Sequence, residues 1–144
     1  MKPILSFIIS LGILLAFATP MYSQVDISAM VKRQAVAWET QDVSSLVADF
    51  APDAVFIAGG FTFEGVDAIQ KAAEDYFRQF KDTEVEIKRI IIEDRQGAVE
   101  WDWRDRNAKT GKPSAAEDAI IFELNDEGKI TYWREYIEKV EVTQ

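Results

Sequence analysis

Apolar residues Ile27, Met30, Val31, Ala35 and Trp38 recur at helical spacing, so Asp26 to Thr40 reads as an amphipathic helix. Asp42 then caps a shorter helix carrying Leu46, Val47 and Phe50, which Pro52 ends. Val55 to Ala58 reads as a strand, Gly59-Gly60 as a two-residue hairpin turn, and Phe61 to Glu64 as the returning strand. A third helix puts Ile69, Ala73, Tyr76, Phe77 and Phe80 on one face. After Lys81 the period falls to two. Thr83 to Asp94, Gly97 to Asn107, Ser114 to Leu124 and Lys129 to Val140 read as four long strands, the first with an irregularity near Arg89. Helices first and a strand meander last give an α+β domain.

The start of the chain lies outside this pattern. Lys2 is followed by an apolar run from Ile4 to Ala18 and a small, polar exit through Thr19, Pro20 and Ser23. That is the anatomy of a secretory signal peptide, expected over residues 1–23 with the domain over 24–144. A membrane-spanning helix wants about 20 apolar residues, and this run is shorter. Cleavage after Ala18 or after Ser23 fits, and a periplasmic or secreted location follows.

Losing Lys2 leaves 15 basic residues against 25 acidic ones, a net charge of −10. Such a surface repels phosphate backbones and anionic lipid, so neither nucleic-acid binding nor stable membrane association is expected of the mature domain. The chain has no His and no Cys. This removes thiolate nucleophiles, imidazole bases and the usual zinc sites, and leaves acid–base work to Asp, Glu, Tyr or Lys. No cofactor and no metal are expected. Asp102, Asp105, Glu117 and Asp118 fit no calcium-loop spacing and read as a solvated acidic face.

Three stretches carry a family likeness: Asp49-Phe50-Ala51-Pro52-Asp53-Ala54-Val55-Phe56, Phe63-Glu64-Gly65-Val66-Asp67-Ala68-Ile69, and Gly128-Lys129-Ile130-Thr131 followed by Trp133-Arg134-Glu135-Tyr136. In these the chain resembles the nuclear transport factor 2-like superfamily, in its SnoaL-like branch. The resemblance implies a curved antiparallel sheet wrapped around N-terminal helices, a cone with a pocket at its open end. It also implies pairing through the outer sheet face, hence a homodimer. The family mixes isomerases, dehydratases, cyclases and epoxide hydrolases with non-catalytic binders, so fold alone does not assign activity. Where ketosteroid-isomerase-like members carry a Tyr and an Asp, this chain has Gln34 and Ala58. The Arg and Asp of limonene-epoxide-hydrolase-like members fall on or beside Trp101 and Trp103, and their second Asp on Glu135. The Asp–His pair of SnoaL-type cyclases has no His to match.

Strand parity offers a site of its own. A four-residue loop from Asn125 to Gly128 sets Leu124 opposite Lys129, Phe122 opposite Thr131, Ile120 opposite Trp133 and Asp118 opposite Glu135, all facing the helices. Asp118 and Glu135 are then the candidate catalytic pair. Two desolvated like charges do not both ionise easily, which can furnish an acid and a base together. A one-residue loop shift would turn either carboxylate outward, to pair with Arg104, Arg106 or Arg134. Trp38, Phe56, Tyr76, Trp101, Trp103, Ile120, Phe122 and Trp133 are the expected pocket lining; four Trp exceed what packing a small domain needs. The expectation is an exported domain binding a small apolar or amphipathic molecule without turning it over. Two alternatives stand: a cofactor-free lyase, isomerase or hydrolase using the carboxylate pair, and a self-association domain.

Overall fold

The computed structural model describes residues 26–142; the expected leader therefore lies outside the described residues. Helix α1 (Ile27–Thr40) starts where the Asp26 carboxylate accepts the Ala29 N–H at 2.9 Å, and α2 (Val43–Ala48) where Asp42 does the same for Ser45 at 3.0 Å. These caps satisfy N–H groups that the first helical turn leaves orphaned. Strands β1 (Phe50–Ala58) and β2 (Phe61–Glu64) form a hairpin, α3 (Val66–Gln79) follows, and β3 (Phe80–Glu93), β4 (Gln96–Asn107), β5 (Pro113–Leu124) and β6 (Ile130–Val140) complete the chain. Gly59 and Gly60 both have positive φ, as a tight hairpin turn requires.

The six strands form one curved, unclosed sheet in the order β2-β1-β6-β5-β4-β3. Every neighbouring pair is antiparallel except β1 with β6. The long β3–β6 meander bends, and one irregularity falls between Ile87 and Arg89.

Three boundaries differ from the sequence reading. Pro52 lies inside β1 rather than after α2, because the β1–β6 register breaks between Phe50 and Val55 and no ladder N–H is needed there. Phe80 opens β3 instead of closing the third helix. The third concerns the last hairpin. The loop takes in Lys129, whose N–H, like that of Glu127, is held by the Asn125 carboxamide oxygen, so Leu124 faces Ile130. A further break between Glu123 and Leu124 then adds a second offset. Phe122 accordingly faces Trp133, Ile120 faces Glu135, and Asp118 faces Ile137, not Glu135.

The two helices α1 and α3 cover the concave side of the sheet. Met30, Leu46, Ile69, Trp101, Ile120, Phe122, Ile130 and Trp133 are fully buried between them. Each indole withdrawn from water contributes about 4–6 kcal/mol on area bookkeeping, which makes the paired rings of Trp101 and Trp133, 5.9 Å apart, the heaviest part of this core.

Candidate functional site

A cavity of about 990 Å³ opens between α1, α3, the β1–β2 hairpin and the concave face of β4–β6. Its aromatic wall is built by Trp38 of α1, Phe56, Phe61 and Phe63 of the hairpin, Tyr76 of α3 and Trp103 of β4. Trp38 meets Tyr76 and Trp103 edge-on, each at 5.5 Å, the favoured geometry for quadrupolar rings. The opposite wall is the sheet, where parity turns Ala116 and Asp118 of β5 and Glu135 and Ile137 of β6 inward.

The expected lining divides in two. Trp38, Phe56, Tyr76 and Trp103 line the cavity. Trp101, Ile120, Phe122 and Trp133 do not: all four are at most 1% exposed and form the floor beneath it. Two of these floor residues still act on the site. Trp101 donates its indole N–H to Asp118 Oδ2 at 3.3 Å, and Trp133 donates to Glu135 Oε1 at 2.9 Å. Each carboxyl is thus held from below by a donor-only ring.

Asp118 and Glu135 share the cavity face but are diagonal neighbours across β5 and β6, a relation that sets Cα atoms about 7–8 Å apart. Asp118 Oδ1 is buried with no hydrogen-bond partner. No ion pair among the described residues includes either group. The alternative partner Arg134 lies on the outer face, stacked on Tyr136 at 4.8 Å. Burial pushes Asp118 up to about 6 against the opposing Trp101 N–H. Burial likewise raises Glu135 to about 7; the Trp133 N–H opposes this, and the Asp118 charge adds to it. Near neutrality one group can therefore keep its proton while the other gives one up.

Asp105 is a residue the sequence reading placed on a solvated face. It is 7% exposed and lines the cavity. Tyr76 and Ser114 donate their hydroxyls to it, and the Trp103 indole reaches it at 3.1 Å. Burial and the Asp105 carboxylate raise the Tyr76 phenol far above its ordinary range, so Tyr76 is a fixed donor. The signal for Asp105 was its parity with Trp101 and Trp103 on one strand. Glu117 remains exposed, and Asp102 pairs with Lys88 at 3.3 Å. Among the described residues no group of three or more His, Cys, Asp or Glu converges as a metal site. None of the described helices is long and apolar enough to cross a membrane.

The sequence profile of the SnoaL-like domain matches residues 31–133. The chain belongs to the SnoaL-like domain family. Curated proteins give no match to it by sequence. Solved structures similar to this SnoaL-like domain share its fold at low identity. A protein with a ketosteroid isomerase-like fold from Catenulispora acidiphila, in complex with trimethylamine, superimposes with a TM-score of 0.69 at 20% identity, over 74% of this chain and 83% of the other. A limonene-epoxide-hydrolase-like epoxide hydrolase from Mycobacterium tuberculosis gives 0.66 at 22% identity, over 76% and 80%. A second M. tuberculosis protein, in complex with estradiol-17β-hemisuccinate, gives 0.67 at 15% identity, over 76% and 91%. The positions where ketosteroid-isomerase-like relatives carry Tyr and Asp are far apart in role here. Gln34 is buried outside the cavity, donating to Leu46 O at 2.9 Å, whereas Ala58 lines it without a titratable group.

Proposed function

We propose that this SnoaL-like domain is exported and binds a small apolar or amphipathic molecule in the aromatic cavity. One observation carries the reading. An open cavity of about 990 Å³ has an apolar, ring-lined wall and, on the other side, the carboxyls of Glu135 and of Asp118, whose buried Oδ1 has no partner. Ligand sites of roughly 300–1,000 Å³ with a few placed polar groups are the usual form of small-molecule recognition. The ligands named for the two structural neighbours, an amine and a steroid ester, support the class without specifying it. The apolar run Ile4 to Ala18 behind Lys2 supports export.

The neutral probe N-phenyl-1-naphthylamine tests binding. Its fluorescence should rise saturably with one site per chain. Ala116→Phe, which fills the cavity from β5, should abolish the rise. Unsaturable binding, or binding indifferent to that substitution, refutes the reading.

A second reading has its own support. Asp118 and Glu135, raised to about 6 and about 7, form an acid and a base facing one cavity. A cofactor-free isomerase, lyase or hydrolase would use them. Turnover of a bound compound that Glu135→Gln stops while leaving its affinity intact would establish catalysis.

A further inference from the structure

Asp118 is 6% exposed, lines the cavity, and leaves Oδ1 without a partner. Such a buried acceptor costs free energy until a donor reaches it. Glu135 uses only Oε1, toward Trp133, and no described donor meets its other oxygen. Both Trp N–H groups are donors alone, so they favour the ionised carboxylates that burial opposes. What the pair lacks is a cation.

The surrounding charges do not supply one. The other ionisable side chains lining the cavity are Tyr76, Asp105, Lys112, Lys139 and Glu141. Asp105 is already saturated by Tyr76, Trp103 and Ser114. Lys112, Lys139 and Glu141 are exposed, and none forms an ion pair with Asp118 or Glu135. The inner part of the cavity is therefore acidic, unneutralised and walled by ring faces.

We propose that the ligand is a cationic amphiphile: a protonated aliphatic amine donating to the free oxygens of Asp118 and Glu135, its apolar body against Trp38, Phe56 and Trp103. This rests on the binding reading above and adds the ligand's charge. An ammonium supplies up to three N–H donors and the missing positive charge, and ring faces attract cations. An alcohol supplies one donor and no charge. A carboxylate would face like charge in a desolvated site. The raised pKa values of the pair agree, since a cation would draw both groups back toward their ordinary range and expel the proton they hold.

Calorimetry of the intact domain with phenylbutylamine, phenylbutanol and phenylbutyrate tests this. At pH 8 the amine should bind at least about tenfold tighter than the alcohol, and the carboxylate weakest, as a charge-assisted contact implies. The amine stays protonated throughout, since alkylammonium groups titrate near about 10. At pH 5 both carboxyls of the unliganded protein hold protons that the amine must displace, which should shrink the preference to within about threefold. The double variant Asp118→Asn/Glu135→Gln should lose the preference while keeping alcohol affinity, which also shows that it folds. Alcohol binding as tight as amine binding, or a preference surviving in that variant through the acidic surface, overturns the proposal and leaves the cavity reading standing. Binding of none of the three overturns both.

Discussion

Asp118 and Glu135 set a sign for the pH dependence of stability that is opposite to the common one. A carboxyl with a depressed pKa loses its contribution in acid. Here burial raises Asp118 from 3.8 to about 6 and Glu135 from 4.5 to about 7. The folded state therefore holds protons that the unfolded chain has released. Both groups are tolerated without penalty below pH 4, and the penalty grows as pH rises through about 6 to 7. Asp118→Asn/Glu135→Gln should thus be more stable than the parent at pH 8, by about 1–3 kcal/mol once solvent screening at the part-open Asp118 and the new unpaired amide donors are discounted. The gain should vanish toward pH 4. Urea unfolding of both proteins at pH 4, 6 and 8 measures it, and a gain independent of pH would assign the effect to packing.

At the scale of the element, the last hairpin decides where these carboxyls sit. The direct pairing of Asp118 with Glu135 assumed regular alternation from a four-residue loop. Two one-residue offsets intervene, Lys129 joining the loop and a bulge between Glu123 and Leu124. Each alone would have turned Glu135 outward; together they restore parity and move the partner of Asp118 to Ile137. Because the native chain has no Cys, cross-linking can read this register directly. Asp118→Cys/Ile137→Cys should close a disulfide under mild oxidation, since directly opposed Cα atoms lie within the 4.4–6.8 Å such bonds span. Asp118→Cys/Glu135→Cys, about 7–8 Å apart, should not. Gel shift on reduction distinguishes them, and the reverse result would restore the simple loop. The same contrast explains what was legible beforehand. Long elements with one clear period, α1 and the four strands of the meander, were readable because burial of one face enforces that period. The irregularity near Arg89 was also readable, from the loss of alternation at Ile90-Ile91-Ile92, but the break between Glu123 and Leu124 was not, because Leu124 and Ile130 look alike in either register. The aromatic wall was readable only in part. Sequence marks Trp101 and Trp133 as large and inward, but not their depth, and Phe50 and Phe122 pack against Trp133 at 6.4 and 5.8 Å. Asp105 was missed because its partners Tyr76 and Ser114 come from α3 and β5, and only tertiary packing brings them to it.

For the whole molecule, two expectations concern where it goes and what it meets. Export should leave a mature N-terminus between Thr19 and Val25, just ahead of the Asp26 cap of α1; N-terminal sequencing of the protein recovered outside the cytoplasm checks it, and intact Met1 in a membrane fraction refutes it. Self-association is an expectation about the convex face of the sheet. There Ile91, Ala98, Ile121 and Arg134 form one cross-strand row and Arg89, Glu100, Ala119 and Tyr136 the next. Ile91, Ile121 and Tyr136 are 56%, 46% and 47% exposed, and the small side chains of Ala98 and Ala119 are their cross-strand neighbours. A two-fold axis through this strip would set Ile121 or Tyr136 of one copy against the alanines of the other, burying the same patch twice. The patch is small. A handful of side chains offers a few hundred Å², whereas a stable interface clears about 1,000 Å² in total, so the dimer should be weak. The net charge of −10 expected after loss of the leader opposes it further at low salt. Sedimentation velocity should accordingly show monomer at low micromolar and dimer at high micromolar concentration, with association strengthening as salt is raised. Ile121→Glu should abolish the dimer without lowering the melting temperature, because a side chain this exposed contributes little to the fold. Monomer at every concentration would refute the pairing. A dimer unaffected by Ile121→Glu would move the interface off this face.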